Sequence, residues 1–224
     1  MLYREVIQKL RLLSNKRNRE GMARFGINTK KAFGISIVNL RKIAKKIGKN
    51  HSLALKLWRS GYHEARILAA MIADSELVTE KQMNSWVKDF NSWDLCDQCC
   101  GGLFDKTPYA YNCARRWSRS KHEFIKRAGY VMMATLAVHD KDSDDSHFRK
   151  LFPLIIRGSV DERNFVKKSV NWALRQIGKR NLALNRSAVK IANEIYKIDS
   201  HSAKWVASDA IRELTSKPVQ SRLK

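Results

Sequence analysis

At 224 residues, 44% hydrophobic and 29% charged, the chain has the composition of a globular protein able to bury a sizeable core. No stretch approaches 18 uninterrupted apolar residues, and the start Met1-Leu2-Tyr3-Arg4-Glu5 lacks the apolar run of a secretory signal; this excludes a spanning helix and makes the cytoplasm the expected compartment. Its 44 Lys+Arg against 21 Asp+Glu leave a net charge of +23, which points to a polyanion, above all nucleic acid, with a basic surface kept for solubility as the plainer reading.

The predicted elements are helical along the whole chain. Val6, Leu10 and Leu13 begin an amphipathic stretch, residues 28–34 read as irregular, and Leu40, Ile43, Ala44 and Ile47 form a second stripe ending at Gly48. Ala65, Leu68, Ala69 and Ile72 form a third after Gly61, and Thr79-x-x-Gln82 signals the next helix start. Val131, Ala134, Thr135 and Val138 continue the pattern, followed by a charged loop over residues 141–146. Asp161-Glu162 opens a helix that Gly178 stops, and Ala188, Ile191, Ala192 and Ile195 form a last stripe. No segment keeps a period of two, and three prolines and ten glycines are few for a loop-rich β protein. The fold class is therefore all-α.

Trp117-Ser118, Ile156-Arg157-Gly158-Ser159 and Tyr196-Lys197-Ile198-Asp199-Ser200 each close one helix and precede another, at spacings near forty residues, with a weaker member at residues 57–61. That is the length of a HEAT-type helical pair, so the expectation is a single domain over residues 1–224 built as a HEAT-like helical-repeat α-solenoid with a concave basic face; a plain helical bundle is the alternative. Charge is uneven along it. Residues 1–60 carry +14, residues 61–120 carry −1, and residues 121–224 carry +10.

The neutral third contains Ser92-Trp93-Asp94-Leu95-Cys96-Asp97. On a helix Trp93 and Asp97 share a face, and a carboxylate meeting a polyanion needs a reason, such as a cation formed during chemistry. Bracing or capping of the helix is the competing role. Cys96, Cys99, Cys100 and Cys113 offer one CxxC without a second ligand pair, so reduced, buried thiols are expected in place of a metal site.

Residues 161–180 are the most regular stretch. Val166, Val170, Ala173, Leu174 and Ile177 make the apolar stripe, while Lys168, Trp172, Arg175 and Lys179 fall together on another face. A tryptophan among three cations suits contact with a sugar or base beside phosphates. Trp58, Trp86, Trp117 and Trp205 are expected to be buried between repeats.

These segments resemble the AlkD-like DNA alkylation-repair glycosylases, a HEAT-repeat family. The resemblance is carried by Leu57-Trp58-x-Ser60-x-x-His63-Glu64-x-Arg66, Ser92-Trp93-Asp94-x-x-Asp97, Trp117-Ser118 through Lys126-Arg127-Ala128, and Lys168-x-x-x-Trp172-Ala173-Leu174-Arg175. It implies removal of N3- and N7-alkylated purines from double-stranded DNA. The catalytic carboxylate then maps to Asp97, the sugar-contacting tryptophans to Trp93 and Trp172, and a DNA-contacting arginine to Arg127. An aromatic contact from the first third, Phe25 or Phe33, is a further expectation.

An alkylated purine already carries positive charge, so its departure needs no acid. The work left is stabilisation of an oxocarbenium-like sugar and orientation of water, both open to Asp97. No cofactor or metal is called for. Lys168, Arg175 and Lys179 would join Arg127 on the flanking phosphates, and Asp94 would cap the helix or pair with an arginine. A monomer is the default. The competing readings are a non-catalytic helical-repeat module that binds nucleic acid, and a scaffold whose basic face meets acidic proteins.

Overall fold

The computed structural model describes residues 1–223. Among these residues the regular structure is entirely helical, with fifteen α-helices and three short 3-10 turns. The described residues gather into two compact units, residues 1–107 and residues from 108 onward. No helix of the described residues is long and apolar enough to cross a membrane.

The first unit holds α1 (Tyr3–Leu12), α2 (Lys16–Arg24), α3 (Ile37–Ile47), α4 (His51–Arg59), α5 (His63–Ile72), α6 (Glu80–Trp86) and α7 (Trp93–Gly102). Side-chain caps start several of them: Asn15 Oδ1 accepts from Asn18 N at 2.9 Å, Asn50 Oδ1 from Leu53 N at 3.0 Å, and Thr79 Oγ1 from Gln82 N at 3.1 Å. The stripes behave largely as the spacing predicts. Val6, Leu10, Leu40, Ile43, Ala65, Leu68, Ala69 and Ile72 are buried, whereas Leu13 lies past the end of α1 and is exposed. Helix α2 has no buried residue, so hydrophobic periodicity gives no sign of it. Around Trp58, an aromatic cluster fills the middle of the unit. Its ring stacks on Trp86 with centroids 3.9 Å apart and 5° between planes, and Phe90 and Phe104 close the group.

A single buried carboxylate ties the front of this unit together. Glu64, in the first turn of α5, is fully buried, and its oxygens accept from Phe33 N at 2.8 Å, Gly34 N at 2.6 Å and Ile35 N at 3.2 Å. The carbonyls of the same segment are used as well. Phe33 O receives Asn15 N at 2.8 Å and Ser14 Oγ at 2.9 Å, and Gly34 O receives Asn18 Nδ2 at 3.2 Å. Gly34 has φ +82°, and a Cβ there would sit 2.2 Å from Asn15 O, so only glycine fits the crossing. The irregular segment before α3 is thereby fixed between α2 and α5.

The second unit holds α8 (Ala110–Trp117), α9 (Glu123–His139), α10 (Asp145–Arg149), α11 (Phe152–Gly158), α12 (Asn164–Gly178), α13 (Leu182–Tyr196), α14 (His201–Leu214) and α15 (Lys217–Gln220). Helices α9 and α12 form its centre, with residues 127–137 of α9 all buried. The closest approach of α8 to α9 runs over Gly129, where a Cβ would stand 2.2 Å from Ser118 N. On α12 the expected stripe of Val166, Val170, Ala173, Leu174 and Ile177 is completely buried. Asp161 anchors the loop before α12, accepting from Lys126 Nζ at 2.7 Å and Arg163 Nη2 at 2.6 Å. Burial raises its carboxyl, but these two cations outweigh that and hold it down to about 2.

Glu64→Gln keeps the side chain's shape but presents an amide NH2 among three N–H donors. It is expected to destabilise the protein by about 2–3 kcal/mol, read as a lower midpoint of thermal unfolding against wild type.

Candidate active site

In the first unit the candidate site is built on the first turns of α7. Leu95, Cys96, Cys99 and Cys100 face inward and are fully buried, which leaves Trp93, Asp94, Asp97 and Gln98 on the half-buried side. Trp93 and Asp97 thus lie one turn apart on the part of the helix that the core does not occupy. The Trp93 indole is fixed at its edge, where Nε1 donates to Phe25 O at 3.0 Å, across 68 residues of sequence. Beside it opens a cleft of about 680 Å³ whose lining includes Trp93, Phe25, Arg17, Arg24 and Met22. Phe25 is exposed, while Phe33 is buried and stacks on Tyr62 at 4.7 Å, so of the two aromatics expected near DNA only Phe25 reaches the surface.

Asp94 is structural, as its position predicts, but its partner is a histidine instead of an arginine. His63 Nε2 lies 2.8 Å from Asp94 Oδ2, with the two side chains only 4% and 14% exposed. Burial raises the Asp94 carboxyl, yet the His63 hydrogen bond and charge, with help from Ser92 and the Leu95 amide, leave it below its usual value. An ionised Asp94 requires Nε2 to carry the proton, so His63 donates. This pair braces α7 against α5 and spans 31 residues, so no local pattern displays it.

The four cysteines are reduced thiols buried in the core, and burial pushes those of Cys99 and Cys100 well above the ordinary value. Among the described residues no three His, Cys, Asp or Glu side chains gather as a metal set.

In the second unit, Lys168, Trp172, Arg175 and Lys179 share a face of α12 away from its buried stripe; Lys168 is exposed and the other three are half-buried. Two of these cations are already engaged. Arg175 Nη1 bonds Glu213 Oε2 and lies 3.8 Å from Asp209 Oδ2, and Lys179 Nζ meets Glu213 Oε1 at 2.6 Å. Burial raises the Glu213 carboxyl, but Lys179 and Arg175 together bring it below its ordinary value. Arg127 is only 6% exposed and donates from Nη1 to Phe165 O at 2.6 Å, joining α9 to the first turn of α12. Of the four cations expected at phosphates, Lys168 is exposed, Arg175 and Lys179 are ion-paired, and Arg127 is buried. Glu213 and Asp209 lie on α14, more than thirty residues from their partners, and only the packing of α12 on α14 reveals them.

Tryptophan burial follows expectation for Trp58, Trp86 and Trp117 and departs from it for Trp205. That residue is 40% exposed on α14, outside the set of α14 residues that are buried.

Comparison with solved structures places this architecture. A protein described as belonging to a new family related to the HEAT-like repeat DNA glycosylases, with affinity for branched DNA structures, aligns over 95% of both chains with a TM-score of 0.78 and 21% identity. The fold is thus a HEAT-like helical repeat. A sequence profile described as DNA alkylation repair enzyme matches residues 6–214, and the chain belongs to that family. Two uncharacterised proteins, from Listeria innocua serovar 6a and Listeria monocytogenes serovar 1/2a, are each 22% identical over 184 residues, covering 75% of this chain and 82% of theirs.

A carboxyl held below its ordinary value contributes stability that is complete above that value and is lost as pH falls through the lowered one. For Glu213, whose ordinary value is near 4.5, the loss comes on the acid side of that pH. Glu213→Gln is expected to cost about 1 kcal/mol or less at neutral pH and to flatten the decline in stability on acidification below the ordinary value, measured by urea unfolding at about pH 7, 4 and 3.

Proposed function

We propose that the protein is a DNA glycosylase that hydrolyses the N-glycosidic bond of cationic N3- and N7-alkylated purines in duplex DNA. The observation that carries this reading is the position of Asp97. In a chain of the alkylation repair family, it stands half-buried one turn from Trp93, on the side of α7 that the core leaves free.

The chemistry suits so small a set of groups. Positive charge on the base makes it a good leaving group, so the barrier lies in the cation that develops on the sugar as the C1′–N bond breaks. The Asp97 carboxylate opposes that charge, then accepts a proton from the attacking water. A preorganised charge of this kind contributes about 3–4 kcal/mol. Trp93 and Trp172 offer π-faces to the cationic sugar and base, each contributing about 0.5–2 kcal/mol. The bond from Trp93 to Phe25 O supports this role, because a ring held at its edge presents its face without first losing rotamer freedom.

Grip on DNA falls to Lys168, Arg127, Arg175 and Lys179 in this reading. Glu213 holds Arg175 and Lys179 side by side, and a phosphate has to share or displace that carboxylate. No cofactor enters the scheme.

A second reading is favoured by the solved relative with affinity for branched DNA: a helical-repeat module that binds nucleic acid without cleaving it. In that case Asp97 serves only the helix, and the basic surface binds DNA whether or not it is damaged.

One assay separates the two. Asp97→Asn is expected to lower release of 7-methylguanine from methylated duplex by about 100- to 1,000-fold with DNA affinity retained; equal release from wild type and variant overturns the catalytic role. Trp172→Ala is expected to reduce release and damaged-DNA affinity with little change in melting temperature, since the ring is outside the buried stripe.

A further inference from the structure

The six tryptophans fall into three groups. Trp58, Trp86 and Trp117 are core residues, and Trp93 and Trp172 are half-buried and belong to the reaction proposed above. Trp205 fits neither group. It is 40% exposed on the second turn of α14, and Lys167 Nζ, from α12, lies 5.3 Å from its ring centroid. Lys204, next to it in sequence, is exposed and forms an ion pair at 3.2 Å with Asp199, whose own side chain is completely open to solvent. Such a pair contributes little and yields readily to another anion.

The carboxylates around this ring are otherwise engaged. Asp209, one turn further along α14, is held by Arg175 and Arg212. Glu162 is turned to the start of α14, where Oε1 accepts from Ser200 Oγ and Ser202 N, each at 3.1 Å. What remains is a part-exposed indole with the Lys167 ammonium over its ring and the exposed Lys204 next to it in sequence. Lysines around an aromatic face are the elements by which proteins hold single strands: the ring takes a base and the cations take the flanking phosphates. A fully paired duplex does not offer such a ligand, because each base face is covered by its neighbours.

We propose that Trp205, with Lys167 and Lys204, is a stacking site for an unpaired nucleotide of DNA, made by residues other than those assigned to base removal. The site would favour DNA carrying a gap, a tail or a junction over a continuous duplex. It rests on the reading that this chain binds DNA, and does not require that it cleaves.

The test is a fluorescence-anisotropy titration of the full chain with three labelled probes at one salt concentration: a paired duplex, the same duplex with a single-stranded tail, and the tail strand alone. Trp205→Ala is expected to weaken binding of both probes that contain unpaired bases about tenfold, with Trp205→Phe restoring most of it. Affinity for the paired duplex, and alkylpurine release from methylated duplex, should stay within twofold of wild type. Lys167→Gln should reduce the slope of log affinity against log salt on the single strand by about 0.7. Wild-type affinity of Trp205→Ala for the tailed probe overturns the proposal, as does an equal loss on the paired duplex. Failure of the wild type to bind any probe overturns both this site and the DNA reading beneath it, whereas loss of release in Asp97→Asn bears on catalysis alone.

Discussion

The Glu64 carboxylate, buried against three consecutive amides, is the constraint on which the first unit depends. An ion taken out of water must be compensated by donors, and here the backbone of Phe33, Gly34 and Ile35 supplies them. Because these residues have no helix or sheet of their own, the carboxylate in turn gives their N–H groups a partner. The segment then becomes rigid enough to receive Asn15 and Asn18, which start α2, and α2 ends at Phe25, whose carbonyl orients Trp93. A charge in α5 thus governs the setting of an aromatic ring on α7. His63, the preceding residue, does the same by a second route, through its bond to Asp94.

Charge in the second unit is organised by pairing. A chain with 44 basic residues would repel itself if they were merely scattered. Asp161 gathers Lys126 and Arg163, and Glu213 gathers Arg175 and Lys179. These pairs fix long side chains in place, so the cations near Trp172 stand preorganised at the cost of a competing anion. Lys168 remains exposed on the same face. Affinity for DNA in such an arrangement depends on both the number of lysines and arginines and the ease with which phosphate enters their existing pairs.

The α7 segment shows how a short motif divides its labour. Leu95, Cys96, Cys99 and Cys100 pack inward, Asp94 locks the helix start to α5, and Trp93 and Asp97 occupy the side left over. Two carboxylates three residues apart therefore face different surroundings. Asp94, nearly buried and bonded to a histidine, is bound to structure. Asp97 is half-buried one turn from Trp93, and the catalytic role proposed for it rests on that position.

Periodicity alone determined that the protein is helical, because apolar residues every three or four positions can be buried only by a helix packed on others. It also separated Trp172 from the stripe of α12, and the order of its motifs carried the family. Hydrophobic pattern was silent where burial was not the organising force, as at α2, which has no core face and is held by polar bonds to the 33–34 segment. Tertiary structure alone decided which residues 29 or more positions apart would meet: Glu64 with the amides of residues 33–35 was at the lower limit, and Trp93 with Phe25 was the farthest of those that shape the site. It also decided that Arg175 and Lys179 are paired and that Trp205 is part-exposed. Partners across helices and the exposure of a side chain are properties of packing, and a linear pattern reports only which face of a helix prefers to leave water.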